Sequence, residues 1–158
     1  MKVAIILGSD SDWGVMKAAI DTLKNFGVDT EVTVASAHRT PQKVHDFVKN
    51  SDAKIFITAA GMAAHLGGVV ASLTTKPVIG VPISCEPFRG LDSLLSTVQM
   101  PGGIPVATVA INGAKNAAIL AVQMLALAND ELTKKLISYR EQIAAEVELK
   151  DKNLQQKL

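Results

Sequence analysis

One cysteine is all that this 158-residue chain contains, so no internal disulfide can staple it, and Cys85 alone supplies no thiolate cluster for zinc. A reducing, cytoplasmic setting is the expectation. Excess charge of one sign is missing too: 16 Lys and Arg stand against 15 Asp and Glu, a net charge of +1, which leaves no basic surface for nucleic acid. Long apolar runs are also lacking. The longest, residues 117–128, is interrupted by Gln123 and falls short of the ~20 residues that span a bilayer, so no membrane partner is expected. At the N-terminus only residues 3–7 are apolar before Gly8, less than the ~7 to 15 of a secretory signal. Aromatics make up only 4% although hydrophobic residues reach 48%, so the core must be built from Ala, Val, Ile and Leu, as in parallel α/β sheets. The length suits one domain over residues 1–158.

Short β-branched runs at residues 3–7, 31–35, 55–59, 78–81 and 106–111 read as five strands buried on both faces. Between them, residues 15–26, 41–49, 63–73 and 91–98 have helical length or apolar spacing. This alternation predicts a three-layer, doubly wound parallel sheet of flavodoxin-like or Rossmann-like type with right-handed crossovers. Gly27 stands where a helix C-cap belongs, and Pro41 is placed to open a helix. A buried-looking helix follows over residues 115–127. A long charged one then runs from Asp130 towards Leu158, with Leu132, Leu136, Tyr139, Ile143, Val147 and Leu154 forming one stripe. That stripe suits either a helix lying on its own domain or one docked on another subunit.

Ligands of open parallel sheets bind beyond the carboxyl ends of the strands, and this chain concentrates its polar side chains there. After the first strand comes Gly8-Ser9-Asp10-Ser11-Asp12-Trp13, where hydroxyls, carboxylates and a helix N-terminus can cap the helix, hold a phosphate, or do both. The second strand leads into Ser36-Ala37-His38-Arg39-Thr40-Pro41, which sets a group that titrates near neutrality beside a permanent cation. That mixture suits proton transfer next to an anionic ligand. The third strand runs into Ala59-Ala60-Gly61-Met62-Ala63-Ala64-His65-Leu66-Gly67-Gly68, whose small residues let a ligand approach the backbone or let a helix pack closely. His45, inside the second helix, reads as an ordinary helix residue. The loop at residues 99–105, with two prolines flanking two glycines, reads as a wall or lid.

Several chemistries are excluded. Residues 59–61 supply no acceptor Asp for a phosphorelay receiver, and no G-x-G-x-x-G, G-x-x-x-x-G-K-[ST], G-x-S-x-G or H-E-x-x-H pattern occurs. Three scattered histidines make no transition-metal site, so no metal is expected. Proton transfer by histidine remains, with a non-catalytic nucleotide-binding module as the alternative from another class.

The first and second of these loops, together with Ala63-Ala64-His65-Leu66 and the run from Ser93 through Gln99-Met100-Pro101-Gly102-Gly103-Ile104-Pro105 to Thr108, closely resemble the N5-carboxyaminoimidazole ribonucleotide mutases of bacterial purine biosynthesis, the class I PurE family. The resemblance extends from Lys2 through Asn116-Ala117-Ala118. It implies a cytoplasmic homo-octamer that moves a carboxylate from the exocyclic nitrogen of its nucleotide substrate to carbon 4 of the imidazole ring, without metal or cofactor. It implies further that Ser9, Asp12 and Arg39 bind the ribose phosphate with Ser11 and Ser36 assisting, that His38 carries the proton, and that the small-residue loop from Ala60 through Gly61 to Ala64 shelters carbon dioxide while His65 orients the carboxylate. A second branch of the family carboxylates the aminoimidazole nucleotide directly. Its His-Lys-Thr loop and missing histidine contrast with Arg39 and His65 here. The chain departs from the mutase pattern at Met62 and Gly67, where Gly and Pro are usual, and across Ser84-Cys85-Glu86-Pro87-Phe88-Arg89.

Overall fold

The computed structural model describes all residues from Met1 to Leu158 and divides into two compact units, 1–121 and 122–158. In the first unit, strands β1 (Lys2–Leu7), β2 (Asp29–Val34), β3 (Ile55–Gly61), β4 (Val78–Ile83) and β5 (Ala107–Thr108) form an all-parallel sheet in the order β2-β1-β3-β4-β5. That is the flavodoxin-like order of a doubly wound sheet. Helices α1 (Trp13–Phe26), α2 (Pro41–Asn50), α3 (Leu66–Leu73) and α4 (Leu91–Val98) connect the strands, and the sheet carries helices on both sides.

The central strands are apolar in nearly every position because both faces are covered. On one face Ala4, Ile6 and Phe56 pack with Val44 and Val48 of α2 and with Leu66 and Val70 of α3. The alternate residues Val3, Ile5 and Leu7 point to the other side and are equally buried. Chain punctuation follows local chemistry. Gly27 takes the left-handed conformation (φ 75°) that closes α1, and its N–H caps the carbonyls of Leu23 and Lys24. Pro41 opens α2, where its missing N–H costs no hydrogen bond.

Three expectations need correction. β2 is not buried on both faces: it is an edge strand paired only with β1, and Val32 and Val34 remain exposed. The fifth strand shrinks to two residues at the opposite edge, although Val109 N–H still donates to Gly80 O (3.1 Å) and Asn112 N–H to Pro82 O (2.8 Å). α3 begins at Leu66 rather than at residue 63. Met62 sits in the left-handed region (φ 55°), and tight bonds from Ala64 N–H to Met62 O and from His65 N–H to Ala63 O turn the chain before the helix starts.

α5 (Ala114–Ala126) runs from the first unit into the second. Its Ala114, Ala117, Ala118 and Ala121 form a fully buried stripe at helical spacing. α6 (Asp130–Gln155) is capped by Asn129, whose side chain accepts from Leu132 N–H at 2.9 Å, with Asp130 and Glu131 at the positive end of the helix dipole. Along its predicted stripe Leu132 is buried, whereas Val147 and Leu154 are exposed.

Candidate active site

The loops after β1, β2 and β3 meet around one cavity of about 470 Å³ at the carboxyl end of the sheet. Gly8, Ser9, Ser11 and Asp12 line it from the first loop, and Ser36, Ala37, His38 and Arg39 from the second. Ala60, Gly61, Met62, Ala63 and Leu66 line it from the third, and Cys85 closes it from the loop after β4.

The first loop is held by its own side chains. Ser9 is extended and caps a single turn over Asp10–Asp12: its Oγ receives Ser11 N–H at 3.3 Å, while Asp12 Oδ2 accepts Ser9 N–H at 3.0 Å. Capping and ligand binding are therefore compatible for Asp12. Burial pushes its carboxyl above the usual range, and the bonds from Ser9 and Ser11 and the charge of Arg39 pull the other way. A buried carboxylate so constrained is a strong acceptor for hydroxyl groups entering the cavity.

In the second loop Ser36 Oγ accepts Arg39 N–H at 3.2 Å, and Thr40 Oγ1 accepts Ser36 N–H at 2.9 Å. This tight winding pushes His38 and Arg39 outward, and both are exposed. Arg39 reaches back across the sheet edge. Its Nη2 donates to Gly8 O at 3.1 Å and its Nε to Ser36 Oγ at 3.4 Å, so the guanidinium is fixed beside the first loop with donors left over for an anion.

In the third loop Ala60 and Gly61 face the cavity, but Ala64 is turned inward, buried, and outside its lining. His65 does not line the cavity either. Its Nδ1 lies 3.0 Å from Nε2 of His38, with ring centroids 5.1 Å apart and planes at 79°. It belongs instead to a neighbouring cavity of about 460 Å³, together with Gly68, Ser72, Ser96, Gln99 and Met100. Of the 99–105 loop, Gln99 and Met100 line that second cavity, and none of its residues lines the first. His45 pairs with Asp46 at 3.2 Å on α2, outside the site.

Sequence reasoning missed Gly8, Ala37, Leu66 and Cys85 as lining residues, and included Met62 and Ala63 only as parts of the 60–64 loop. The rule that ligands gather beyond strand ends pointed to Cys85 as well, two residues past β4. Strand register then brings it to the site: Gly61 pairs with Ile83, and a Cβ on Gly61 would stand 2.5 Å from Cys85 Sγ.

The family model described as AIR carboxylase matches residues 2–146. The chain belongs to the AIR carboxylase family. Curated relatives of this family named N5-carboxyaminoimidazole ribonucleotide mutase include those of Methanocaldococcus jannaschii (56% identical, 98% of each chain covered) and Thermotoga maritima (51% identical, 98% of this chain and 92% of the other). A Mycobacterium leprae relative of the same name is 48% identical over 98% of this chain and 92% of its own. The crystal structure of Treponema denticola PurE superposes with a TM-score of 0.88 at 33% identity, covering 97% of this chain and 98% of that one. All five strands and the cavity lie within the matched residues of this AIR carboxylase family member.

Proposed function

We propose that this chain is an N5-carboxyaminoimidazole ribonucleotide mutase, converting that nucleotide to the 4-carboxy-5-aminoimidazole isomer in purine biosynthesis. One observation carries the reading: His38 stands on the same cavity as Ser9, Ser11, Asp12, Ser36 and Arg39, in a chain whose near full-length relatives bear that name. Arg39 and the hydroxyls of Ser9, Ser11 and Ser36 hold the phosphate, and Asp12 accepts from the ribose hydroxyls.

His38 performs both proton transfers. As imidazolium it protonates the carbamate nitrogen, the carbon–nitrogen bond breaks with its electron pair passing to nitrogen, and carbon dioxide is released. Carbon 4 of the ring then attacks carbon dioxide, and neutral His38 removes the ring proton, returning to imidazolium. Ala60, Gly61 and Ala64 belong to the small-residue loop that keeps the intermediate gas from escaping. No step needs metal or cofactor.

The family description favours a second reading, direct carboxylation of the aminoimidazole nucleotide by free carbon dioxide. Arg39 and His65 support the mutase. The purified protein, given the N-carboxylated nucleotide without ATP, metal or bicarbonate, forms the carbon-4 carboxylate, and a chelator leaves the rate unchanged. Efficient use of bicarbonate with the uncarboxylated nucleotide, and none of the N-carboxylated form, selects the carboxylase. Binding without turnover selects a non-catalytic module.

The same reading includes a cytoplasmic homo-octamer in which the 130–158 helix makes subunit contacts. No helix is long and apolar enough to cross a membrane, and α6 exposes Ile137, Val147, Leu149 and Leu154 to solvent in the single chain. Light scattering during chromatography tests the assembly, and a monomeric mass at micromolar concentration refutes it.

A further inference from the structure

We infer that His65 acts through His38 as a positioning residue: its Nδ1 anchors Nε2 of His38, and this bond, rather than contact with the substrate carboxylate, is its contribution to turnover. The inference rests on His38 being the proton carrier.

The geometry limits how the pair can be protonated. When both rings are neutral, a single proton lies between the two nitrogens at 3.0 Å, so the tautomer of one ring dictates that of the other. When His38 is the imidazolium, its Nε2–H must donate, His65 must accept at Nδ1, and the proton of His65 is confined to its own Nε2. His38 Nδ1 is then the nitrogen with no protein partner, free to give up and recover the reacting proton. The edge-on arrangement of the rings, 79° between planes, suits such an in-plane lone pair meeting an N–H.

His65 is itself well placed for holding another ring steady. It precedes α3, its N–H donates to Ala63 O at 2.8 Å, and its carbonyl receives Val69 N–H at 3.0 Å, so its backbone is fixed on both sides. His38, by contrast, is an exposed side chain on a loop, with His65 as its one hydrogen-bond partner. Without that partner the imidazole samples other rotamers and both tautomers. The absence of His65 from the lining of the main cavity fits a role exercised through His38.

Two variants of the full-length protein separate the roles. His65→Asn keeps an amide near the place of Nδ1, whereas His65→Leu removes every polar atom. His65 is exposed, so folding is preserved. The expectation is that His65→Leu lowers kcat by about 10- to 100-fold with KM nearly unchanged, as misplacement of a reacting group does, and that His65→Asn recovers most of the loss. Nitrogen-15 NMR of the ring nitrogens supplies a readout independent of turnover. In ligand-free protein the His38 Nε2 signal loses its hydrogen-bonded shift in His65→Leu, and keeps it in His65→Asn. A rise in KM alone, or unchanged His38 ring signals in His65→Leu, overturns the inference. A wild-type protein inactive on the N-carboxylated nucleotide refutes the mutase reading instead, and the NMR comparison still decides whether the pair exists.

Discussion

Replacing Gly61 with alanine tests, through stability alone, how the wall of the site is packed. The backbone of Gly61 lies outside the left-handed region, so alanine is conformationally allowed there, and it sits at the end of β3. In such a position alanine is favoured over glycine by about 0.4 to 1 kcal/mol, because it restricts the unfolded chain. Against this, the new Cβ would stand 2.5 Å from Cys85 Sγ and 3.4 Å from Ile83 O. The first distance is far inside van der Waals contact, and overpacking of this kind costs about 1 to 3 kcal/mol. The net expectation is a loss of about 0 to 2.6 kcal/mol.

Cys85→Ala removes the sulfur and leaves its Cβ at 3.8 Å, an ordinary contact. In that background Gly61→Ala should therefore change sign and stabilise. Urea unfolding of the wild type, both single variants and the double variant, at one protein concentration, yields the coupling energy of the cycle. A coupling below about 0.5 kcal/mol, or destabilisation by Gly61→Ala in both backgrounds, would refute the contact between β3 and the loop after β4.

Burial raises the Asp12 carboxyl above its ordinary value of 3.8, so its ionised form weakens the fold at neutral pH and that cost disappears as pH falls through the folded value towards 3.8. Asp12→Asn lacks this cost and its Oδ1 can still accept Ser9 N–H, so its stability advantage should be greatest at neutral pH and shrink on acidification, while activity falls; an advantage that grows on acidification contradicts the assignment. His38→Asn should keep nucleotide affinity but lose about 100- to 10,000-fold in kcat, whereas Arg39→Ala should raise the dissociation constant by about tenfold or more through loss of a charge-assisted contact. Calorimetric titration beside steady-state kinetics separates the two, and near-normal kcat in His38→Asn removes it from the proton path. Met62 holds a left-handed backbone at φ 55°, which costs a non-glycine residue about 1 to 2 kcal/mol, so Met62→Gly should raise the unfolding midpoint; a lower midpoint shows that the exposed Met side chain stabilises more than the strain costs.

What local chemistry governs was legible in the residues alone. The apolar runs of β1, β3 and β4, the left-handed stop at Gly27 and the Pro41 start of α2 all depend on neighbours within a few positions. A strand period of two and a helix period of 3.6 are properties of the chain itself. The concentration of Ser, Asp, His and Arg after the strands was visible for the same reason, since a parallel sheet puts all those loops at one end.

The tertiary structure decided which of these loops touch. Strand order made β2 an edge and left Val32 and Val34 exposed, a property that its composition does not encode. Register set Gly61 against Ile83, and so Cys85 against the cavity. The turn at Met62 buried Ala64 and swung His65 onto His38, 27 positions away along the chain. Such pairings depend on side-chain directions summed over two elements and a shared sheet, so only the folded arrangement of the whole sheet selects them.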